Sequence, residues 1–191
     1  RRSEQPNGLD RDRITEATVR LLDAEGLASF SMRRLAAELN VTAMSVYWYV
    51  DTKDDLLELA LDAALGELAL PPEDSTDDWR DQLRAVAAGY RALLVRHPWL
   101  SCLAATFLNI GPHARELSRV LRHIIRGTGL PPHGQAGALS AVFQFVYGFG
   151  TVEGHYVQRC ASAGLTQEEY FRHAMTAVTV TPELHEVVRH S

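Results

Sequence analysis

Residues 31–57 read SMRRLAAELNVTAMSVYWYVDTKDDLL, and this stretch decides how the first part of the chain folds. Ser31 is a typical helix N-cap residue, and the apolar side chains that follow it recur at three- and four-residue steps. Asn40 can adopt the left-handed backbone conformation that ends a helix, and Thr42 can cap a second short helix. The small side chain of Ala36 allows the two helices to approach closely. The stretch therefore predicts a helix-turn-helix.

The rest of the chain also shows helical spacing of its apolar residues. Helices are predicted at 10–25, 32–39, 43–49, 53–68, 77–96, 98–108, 113–126, 134–160 and 167–176. Residues 71–75, PPEDS, form the clearest break and predict a linker. Because neither strand alternation nor a hairpin signal occurs, the predicted fold class is all-α.

The composition is that of a globular protein, with 46% hydrophobic and 23% charged residues. A run of about 18 uncharged apolar residues is missing, as is the apolar stretch of a signal peptide, so we expect a cytoplasmic protein that does not enter a membrane. Cys102 and Cys160 lie far apart within helical patterns. Both are predicted to be buried small hydrophobic residues in a reducing compartment.

The motifs of common enzyme classes are missing from the sequence. It contains no G-x-S-x-G, no H-E-x-x-H and no phosphate-binding loop, and the glycines at 148 and 150 follow no strand and lack the third glycine of a dinucleotide site. The eight histidines show no metal-ligand spacing on one helix face. We therefore expect no enzyme activity, no catalytic residues, no cofactor and no metal.

The charge pattern leaves two functions open. The net charge is −5, and acidic side chains outnumber basic ones within residues 1–60. This balance slightly favours a helical small-molecule-binding or adaptor protein that does not use its helix-turn-helix on DNA. Phosphate contacts come from a local patch, however, and the single lysine, Lys53, directly follows the helix-turn-helix. Its position favours DNA binding.

Residues 9–61 resemble the TetR family of transcriptional regulators, and in particular its tetracycline-repressor-like branch. The resemblance is carried by the aromatic run YWY at 47–49, the polar residues after it, Lys53, and the leucine pair at 56–57. The single lysine falls on the lysine position of the family pattern. The resemblance implies a three-helix DNA-binding domain at 1–53, a connecting helix at 54–70, and a helical ligand-binding and dimerisation domain at 76–191.

The resemblance also implies which residues contact DNA, namely Arg33, Thr42, Ala43, Met44, Ser45, Tyr47, Trp48 and Lys53. Lys53, beside a helix N-terminus, suits a phosphate oxygen, and Tyr47 and Trp48 can donate to the DNA backbone. Arg33 can touch a base or a phosphate. Residues 42–45 face base edges, where Ala43 and Met44 suit thymine methyl groups and the two hydroxyls can form hydrogen bonds.

Simpler interpretations than a DNA contact remain open for Trp48 and for several arginines of the first 34 residues. Trp48 is either a backbone contact or part of the core, and Arg34 is interpreted as a solvated charge. The arginines at 1, 2, 11 and 13 form either an electrostatic arm over the phosphates or a solvated terminus.

Residues 77–176 resemble the C-terminal domain of the same branch. The resembling pieces are YRALL at 90–94 with HPWL at 97–100, the Gly-Pro at 111–112, and GTGL at 127–130. Such domains hold a divergent pocket and a helical dimer interface. The candidate ligand-binding residues are Trp99, Phe107, Phe143, Tyr147 and His155. The alternative for each is an ordinary core position.

A regulator of this kind implies three partners. Few charged residues interrupt the predicted C-terminal helices, so we expect a small, mostly apolar or aromatic effector. One short recognition helix buries too little surface for specific affinity, so a homodimer is expected to place two heads about 34–36 Å apart. The double-stranded DNA operator is then a near-palindrome, from which the effector releases the repressor.

The helix predicted at 134–160 is rich in aromatic residues and in glycines. Because its aromatic residues lie on several faces, we expect it to be buried nearly all round. Its glycines are expected where the same helix of a second subunit approaches closely. The final residues, TPELHEVVRHS at 181–191, resemble the segment before the last long helix of this branch. Two explanations are open: the last helix lies outside this chain, or stretches of the sequence have been left out, for example near 176–181.

Overall fold

The structure is a computed structural model that describes residues 8–177, and every regular element within that range is helical. The α-helices are α1 (Arg11–Glu25), α2 (Met32–Glu38), α3 (Ala43–Tyr47), α4 (Lys53–Leu65), α5 (Trp79–Arg96), α6 (Trp99–Thr106), α7 (Pro112–Arg126), α8 (Pro132–Ser162) and α9 (Gln167–Ala177). A single 3-10 turn, Leu27–Ser29, separates α1 from α2. The predicted all-α fold is confirmed.

Local capping residues define the helix-turn-helix. The Ser31 hydroxyl accepts from the Arg34 amide at 3.2 Å, and the Thr42 hydroxyl accepts from the Ser45 amide at 3.2 Å. Asn40 has φ 54°, so the predicted left-handed turn between the two helices is present. The three short helices of this head, α1 to α3, are fixed by hydrogen bonds that the sequence encodes locally.

The head shares one core with the helices that follow it. Ile14 of α1, Leu35 of α2 and Val46 of α3 are buried together with Leu61 of α4 and Leu100 of α6. The connecting helix α4 is thus apolar on the sides that face the head and the C-terminal helices. Since interiors are closely packed, a shift of α4 must displace side chains in both parts.

Both α3 and α4 end earlier than the sequence predicts. α3 ends at Tyr47 because the amide of Tyr49 bonds back to Val46 at 3.0 Å, which tightens the last turn. α4 ends at Leu65, three residues before the predicted end, since the Gly66 amide is shared between two carbonyls of the preceding turn. Terminal turns of this kind carry no clear sequence signal.

The long helix α8 lies against α5, and two of its glycines allow the close approach. A Cβ on Gly150 would lie 2.8 Å from Cδ1 of Leu94, and a Cβ on Gly154 would lie 2.7 Å from the Leu94 carbonyl oxygen. The sequence assigned these glycines to contact with a second subunit, and for Gly150 and Gly154 that assignment is wrong. Their neighbour is α5 of the same chain.

The expectation that α8 is buried nearly all round is also wrong within this chain. Phe145, Phe149 and Val152 are 67%, 61% and 70% exposed. The reason is geometric: α5 covers one side of α8, and within residues 8–177 no helix covers the exposed row of Phe145, Phe149 and Val152. An exposed apolar row of this size marks an interaction surface.

Three further expectations concern the two cysteines, membrane-spanning helices and the ends of the chain. Cys160 is buried as predicted, but Cys102 is exposed because it lies on the outer side of α6. Within residues 8–177, no helix is long and apolar enough to cross a membrane. The arginines at positions 1 and 2 and the segment 181–191 lie outside the described residues.

Candidate DNA-binding surface and effector cavity

The predicted recognition helix, α3, presents large side chains to solvent. Met44 is 69% exposed and Trp48 is 77% exposed, while Val46 between them is buried and anchors the helix. The core alternative for Trp48 is therefore wrong. Tyr47 is also exposed, and its neighbour Tyr49 points inward, where its hydroxyl donates to the Leu9 carbonyl at 2.7 Å. Adjacent exposed aromatic and thioether groups are costly in water and favour a partner surface.

The polar opening of α3 is arranged for hydrogen bonding. The hydroxyl oxygens of Thr42 and Ser45 lie 2.9 Å apart, with Thr42 exposed and Ser45 half-buried. Ala43 is half-buried and packs partly against the core. Of the four residues predicted to face base edges, Thr42 and Met44 are thus exposed, and Ala43 and Ser45 are half-buried.

The basic side chains near this surface differ in the hydrogen bonds and ion pairs that they already form within the chain. Arg33 is exposed, whereas Arg34 forms ion pairs with Glu25 at 2.7 Å and Glu38 at 3.3 Å. Lys53 is exposed at the start of α4, and its ammonium donates to the Phe30 carbonyl at 3.1 Å. A phosphate can replace that carbonyl as acceptor, since a lysine has three donors and a long side chain.

A cavity of about 490 Å³ lies among α4, α5, α6, α7 and α8. Its lining residues are Leu65, Tyr90, Ala104, Ala105, Asn109, Ala114, Leu117, Ser118, Leu121, Phe143, Gln144 and Tyr147. None of these described side chains is an acid or a strong base. The volume lies within the range of small-molecule sites, and the few polar groups can orient a ligand.

Two tyrosines supply the most defined polar groups of the cavity. The Tyr147 hydroxyl donates to the Ser101 carbonyl of α6 at 2.8 Å. The ring of Tyr90 lies 5.7 Å from that of Phe143 at an angle of 56°, a favourable tilted pair. Burial, with a smaller contribution from Tyr147, raises the pKa of Tyr90 to about 12. Tyr90 therefore stays protonated near neutral pH, so the cavity remains uncharged.

The five predicted ligand-binding residues do not lie together. Phe143 and Tyr147 line the cavity, one helical turn apart on α8. Phe107 is half-buried against the core beside the cavity, and Trp99 is buried with its indole N–H donating to Asp23 of the head at 2.7 Å. His155 is exposed on α8, in a separate surface depression.

Sequence reasoning missed most of the cavity lining. Tyr90 could have been found, because it lies one turn after Val86 on the buried side of α5. Ala104, Ala105 and Ser118 also line the cavity. Their sequence positions do not predict this, because a small residue beside a cavity cannot be told from any other small residue of a helix. A cavity arises from what the neighbouring helices leave unfilled.

The connecting helix joins the cavity to the head by direct contacts. Leu65 at its C-terminal end lines the cavity, and Lys53 at its N-terminal end donates to the Phe30 carbonyl of the head. Asp62 accepts from the amides of Ala114 at 3.0 Å and His113 at 3.3 Å, so it caps the N-terminus of α7. A Cβ at Gly111 would overlap Asp62, which explains the glycine there. The start of α7 is thereby hydrogen-bonded directly to α4.

Sequence comparisons agree with this architecture in both parts. Residues 14–60 match the profile of "Bacterial regulatory proteins, tetR family", and residues 71–189 match "Tetracyclin repressor-like, C-terminal domain". A match to a family of regulatory proteins supports the expectation that the chain is not an enzyme.

Two curated relatives cover most of this chain. An HTH-type transcriptional regulator of Saccharopolyspora erythraea is 41% identical over 145 residues, which are 76% of this chain and 61% of the relative. The HTH-type transcriptional repressor DrrR1 of Streptomyces coeruleorubidus is 35% identical over 164 residues, which are 86% of this chain and 61% of the relative. The chain thus spans about three fifths of the length of these relatives.

Solved structures show the same arrangement of helices. The TetR family protein ActR of Streptomyces coelicolor, in complex with actinorhodin, has a TM-score of 0.71 at 29% identity, over 77% of this chain and 68% of that one. BioQ with its double-stranded DNA operator has a TM-score of 0.65 at 25% identity, over 82% of this chain and 93% of that one. Profile matches, relatives and structures agree that the chain belongs to the tetR family of bacterial regulatory proteins, with a tetracycline-repressor-like C-terminal domain.

Proposed function

We propose that this chain is the DNA-binding and effector-binding part of a transcriptional repressor that a small molecule releases from its operator. The observation that carries the proposal is the pairing of an exposed recognition helix with an uncharged cavity through the connecting helix α4. Met44 and Trp48 stand out from α3 at one end of this system, and Leu65 of α4 lines the cavity at the other.

The DNA contacts of the proposal follow from exposure and chemistry. Arg33, Tyr47, Trp48 and Lys53 are exposed donors around α3 and suit phosphate oxygens. Residues 42–45 enter the major groove and read base edges, with Met44 as an exposed apolar side chain among them. BioQ, which has a similar fold, is known in complex with its own operator. Because operator DNA lies in the bacterial cytoplasm, the proposal places this protein there.

The proposed effector is an uncharged, mostly apolar or aromatic molecule. The cavity offers the rings of Tyr90, Phe143 and Tyr147 for stacking, and amide groups of Asn109 and Gln144 for orientation. A charged effector would lose its hydration without gaining an opposite charge in return. ActR binds actinorhodin and (S)-DNPA, which supports an organic effector for this related fold.

The proposed assembly is a homodimer through the exposed side of α8. Phe145 and Phe149 contact each other, with ring centroids 4.8 Å apart, and together with Val152 they form an exposed apolar row. Gly148 in this region has open space around it, which would let a second helix approach closely. A two-fold dimer would set the two heads about one DNA turn apart, as a near-palindromic operator requires.

Release follows if the effector prefers one arrangement of the heads. A ligand shifts a conformational equilibrium only by its difference in affinity for the two states. A molecule in the cavity contacts Leu65 and thereby displaces α4, which changes the distance between the two heads. The operator then fits the dimer less well, and by reciprocity the operator lowers effector affinity.

Selection of duplexes from a random pool by the wild-type protein tests the proposal. The expected result is enrichment of a near-palindrome, and Met44→Ala should change the preferred bases rather than abolish binding. The adaptor alternative is favoured by the acidic balance of residues 1–60. It predicts no enrichment of any sequence at moderate salt, and that outcome would reject the repressor proposal.

A further inference from the structure

A hydrogen-bonded group, in which two aromatic side chains are buried and three charged side chains reach solvent, joins the head to the C-terminal helices at a point away from α3. We call it the junction cluster; it consists of Asp23, Glu67, Arg96, His97 and Trp99. Asp23 lies near the end of α1, and its Oδ1 lies 2.6 Å from Nδ1 of His97 and 2.7 Å from Nε1 of Trp99. The head is thus held by a second contact besides α4.

The other side of the imidazole faces a second carboxylate. Nε2 of His97 lies 3.2 Å from both carboxylate oxygens of Glu67, which follows the end of α4. Arg96 donates to the same carboxylate at 2.6 Å. His97 is only 3% exposed. To donate to a carboxylate on each side, the ring must carry a proton on both nitrogens, which makes it an imidazolium.

The charges around His97 favour this form. Burial lowers its pKa, but the hydrogen bonds and charges of Asp23 and Glu67 raise it by more, so the net pKa lies above the ordinary value. The groups that face the ring are Asp23 from α1, Glu67 from the end of α4, Arg96 beside Glu67, and the neutral Trp99 from α6.

The junction cluster is also close to the effector cavity along one helix. Tyr147, which lines the cavity, donates to the carbonyl of Ser101 in the first turn of α6. Trp99 opens that same turn and donates to Asp23 of the head. One short helical turn is therefore bonded to the cavity wall on one side and to the head on the other.

We propose that His97, as an imidazolium between Asp23 and Glu67, is a positioning residue that holds the head in the orientation able to bind DNA. Loss of its proton removes one of the two donors and loosens the head. Operator affinity then falls without any change at the DNA-contacting residues. This inference rests on the proposed repressor function and adds a proton dependence to it.

The direction of the pH effect follows from the raised pKa of His97. A group whose pKa is raised in the folded state gives its full stabilisation below its unfolded pKa and loses it as pH rises through the folded pKa. Operator affinity should therefore be highest at mildly acidic pH and fall as the pH rises further. All eight histidines lie after residue 96, so no histidine of the head can produce this effect.

The test is the pH profile of affinity for a duplex that the wild-type protein has selected, from about pH 6 to 9. Asp23→Asn retains an oxygen that can accept from Trp99 but removes the charge that favours the imidazolium. We expect its affinity to fall at a lower pH than that of the wild type. His97→Asn can still donate to Asp23 but cannot titrate, so the fall should be lost. The exposed His123→Gln is the control and should keep the wild-type midpoint.

Urea unfolding of each variant separates positioning from stability alone. If Asp23→Asn changes the unfolding midpoint but leaves the pH midpoint of operator binding unmoved, the role is structural and the inference is wrong. A flat wild-type profile with intact operator binding would overturn the inference but not the repressor function. If the wild-type protein binds no duplex at any pH, the repressor function fails and the inference fails with it.

Discussion

The head and the C-terminal helices use opposite designs. The head buries Val46 in its core and exposes Met44 and Trp48, which are predicted DNA contacts, on its surface. The C-terminal part leaves a cavity of about 490 Å³ inside and places apolar side chains of α8 on its surface. A rigid surface suits the reading of DNA, whereas a cavity with polar and aromatic walls suits the binding of a small molecule. The proposed function of the head therefore depends on the shape of its outer surface, and that of the C-terminal part depends on the shape of its cavity.

The largest expected effect is on the exposed side of α8. Phe149→Glu places a charge in the proposed dimer interface, and a buried unpaired charge is strongly unfavourable. We expect the mass by light scattering to halve and operator affinity to fall on the order of a hundredfold or more, because a single head lacks specific affinity. Leu130→Glu, at another exposed apolar position, is the control and should remain dimeric. A dimeric Phe149→Glu protein would show that the interface lies elsewhere.

A pair of glycine variants tests the packing of α8 against α5. Gly154→Ala places a Cβ 2.7 Å from the Leu94 carbonyl oxygen, which should destabilise the protein by about 1–3 kcal/mol. Gly137→Ala, in the same helix, meets open space and should stabilise it by about 0.5–1 kcal/mol. Urea unfolding measures both. Equal effects of the two substitutions would contradict the described packing.

Lys53 and Met44 should affect DNA binding in different ways. Lys53→Ala removes a phosphate contact, so affinity for all duplexes should fall alike and the salt slope should decrease by about one unit. Met44→Ala should instead change which sequence is preferred. Titrations at several salt concentrations measure the slope, and Lys53→Arg should largely retain it. An unchanged slope in Lys53→Ala would remove this residue from the DNA contacts.

The smallest expected effect is at the cavity wall. Tyr147→Phe removes the hydrogen bond to the Ser101 carbonyl and should cost about 0.5–1.5 kcal/mol of stability. Operator affinity without effector should change little, while the concentration of effector needed for release should change. Anisotropy of a labelled operator measures both quantities. A loss of operator binding equal to that of a head variant would contradict the separation of the two parts.

The sequence predicted the head far better than the C-terminal part, for a physical reason. The caps at Ser31 and Thr42 and the turn at Asn40 depend on residues within a few positions, so local patterns reveal them. The aromatic–lysine pattern lies on one continuous stretch as well. The exposure of Trp48, in contrast, depends on which neighbours are present in three dimensions.

The cavity and the junction cluster depend on contacts between distant residues. Asp23 and His97 are 74 positions apart, and Tyr147 and Ser101 are 46 apart. Trp99 was predicted as a ligand contact from its residue type, although its indole N–H donates a hydrogen bond to Asp23 of the head. The glycines at 150 and 154 signalled close packing correctly, but not which helix is the neighbour. Pairings of this kind require the fold.

The most direct measurement is the affinity of the intact dimer for a selected operator and for a shuffled duplex of the same composition, with and without saturating effector. Fluorescence anisotropy at moderate ionic strength gives all four values. The proposed function predicts at least a thousandfold preference, on the order of that for specific DNA-binding proteins, which the effector largely removes. Equal binding of the two duplexes would contradict the assignment of α3 as a reading helix. A preference that saturating effector leaves unchanged would contradict the coupling between cavity and head.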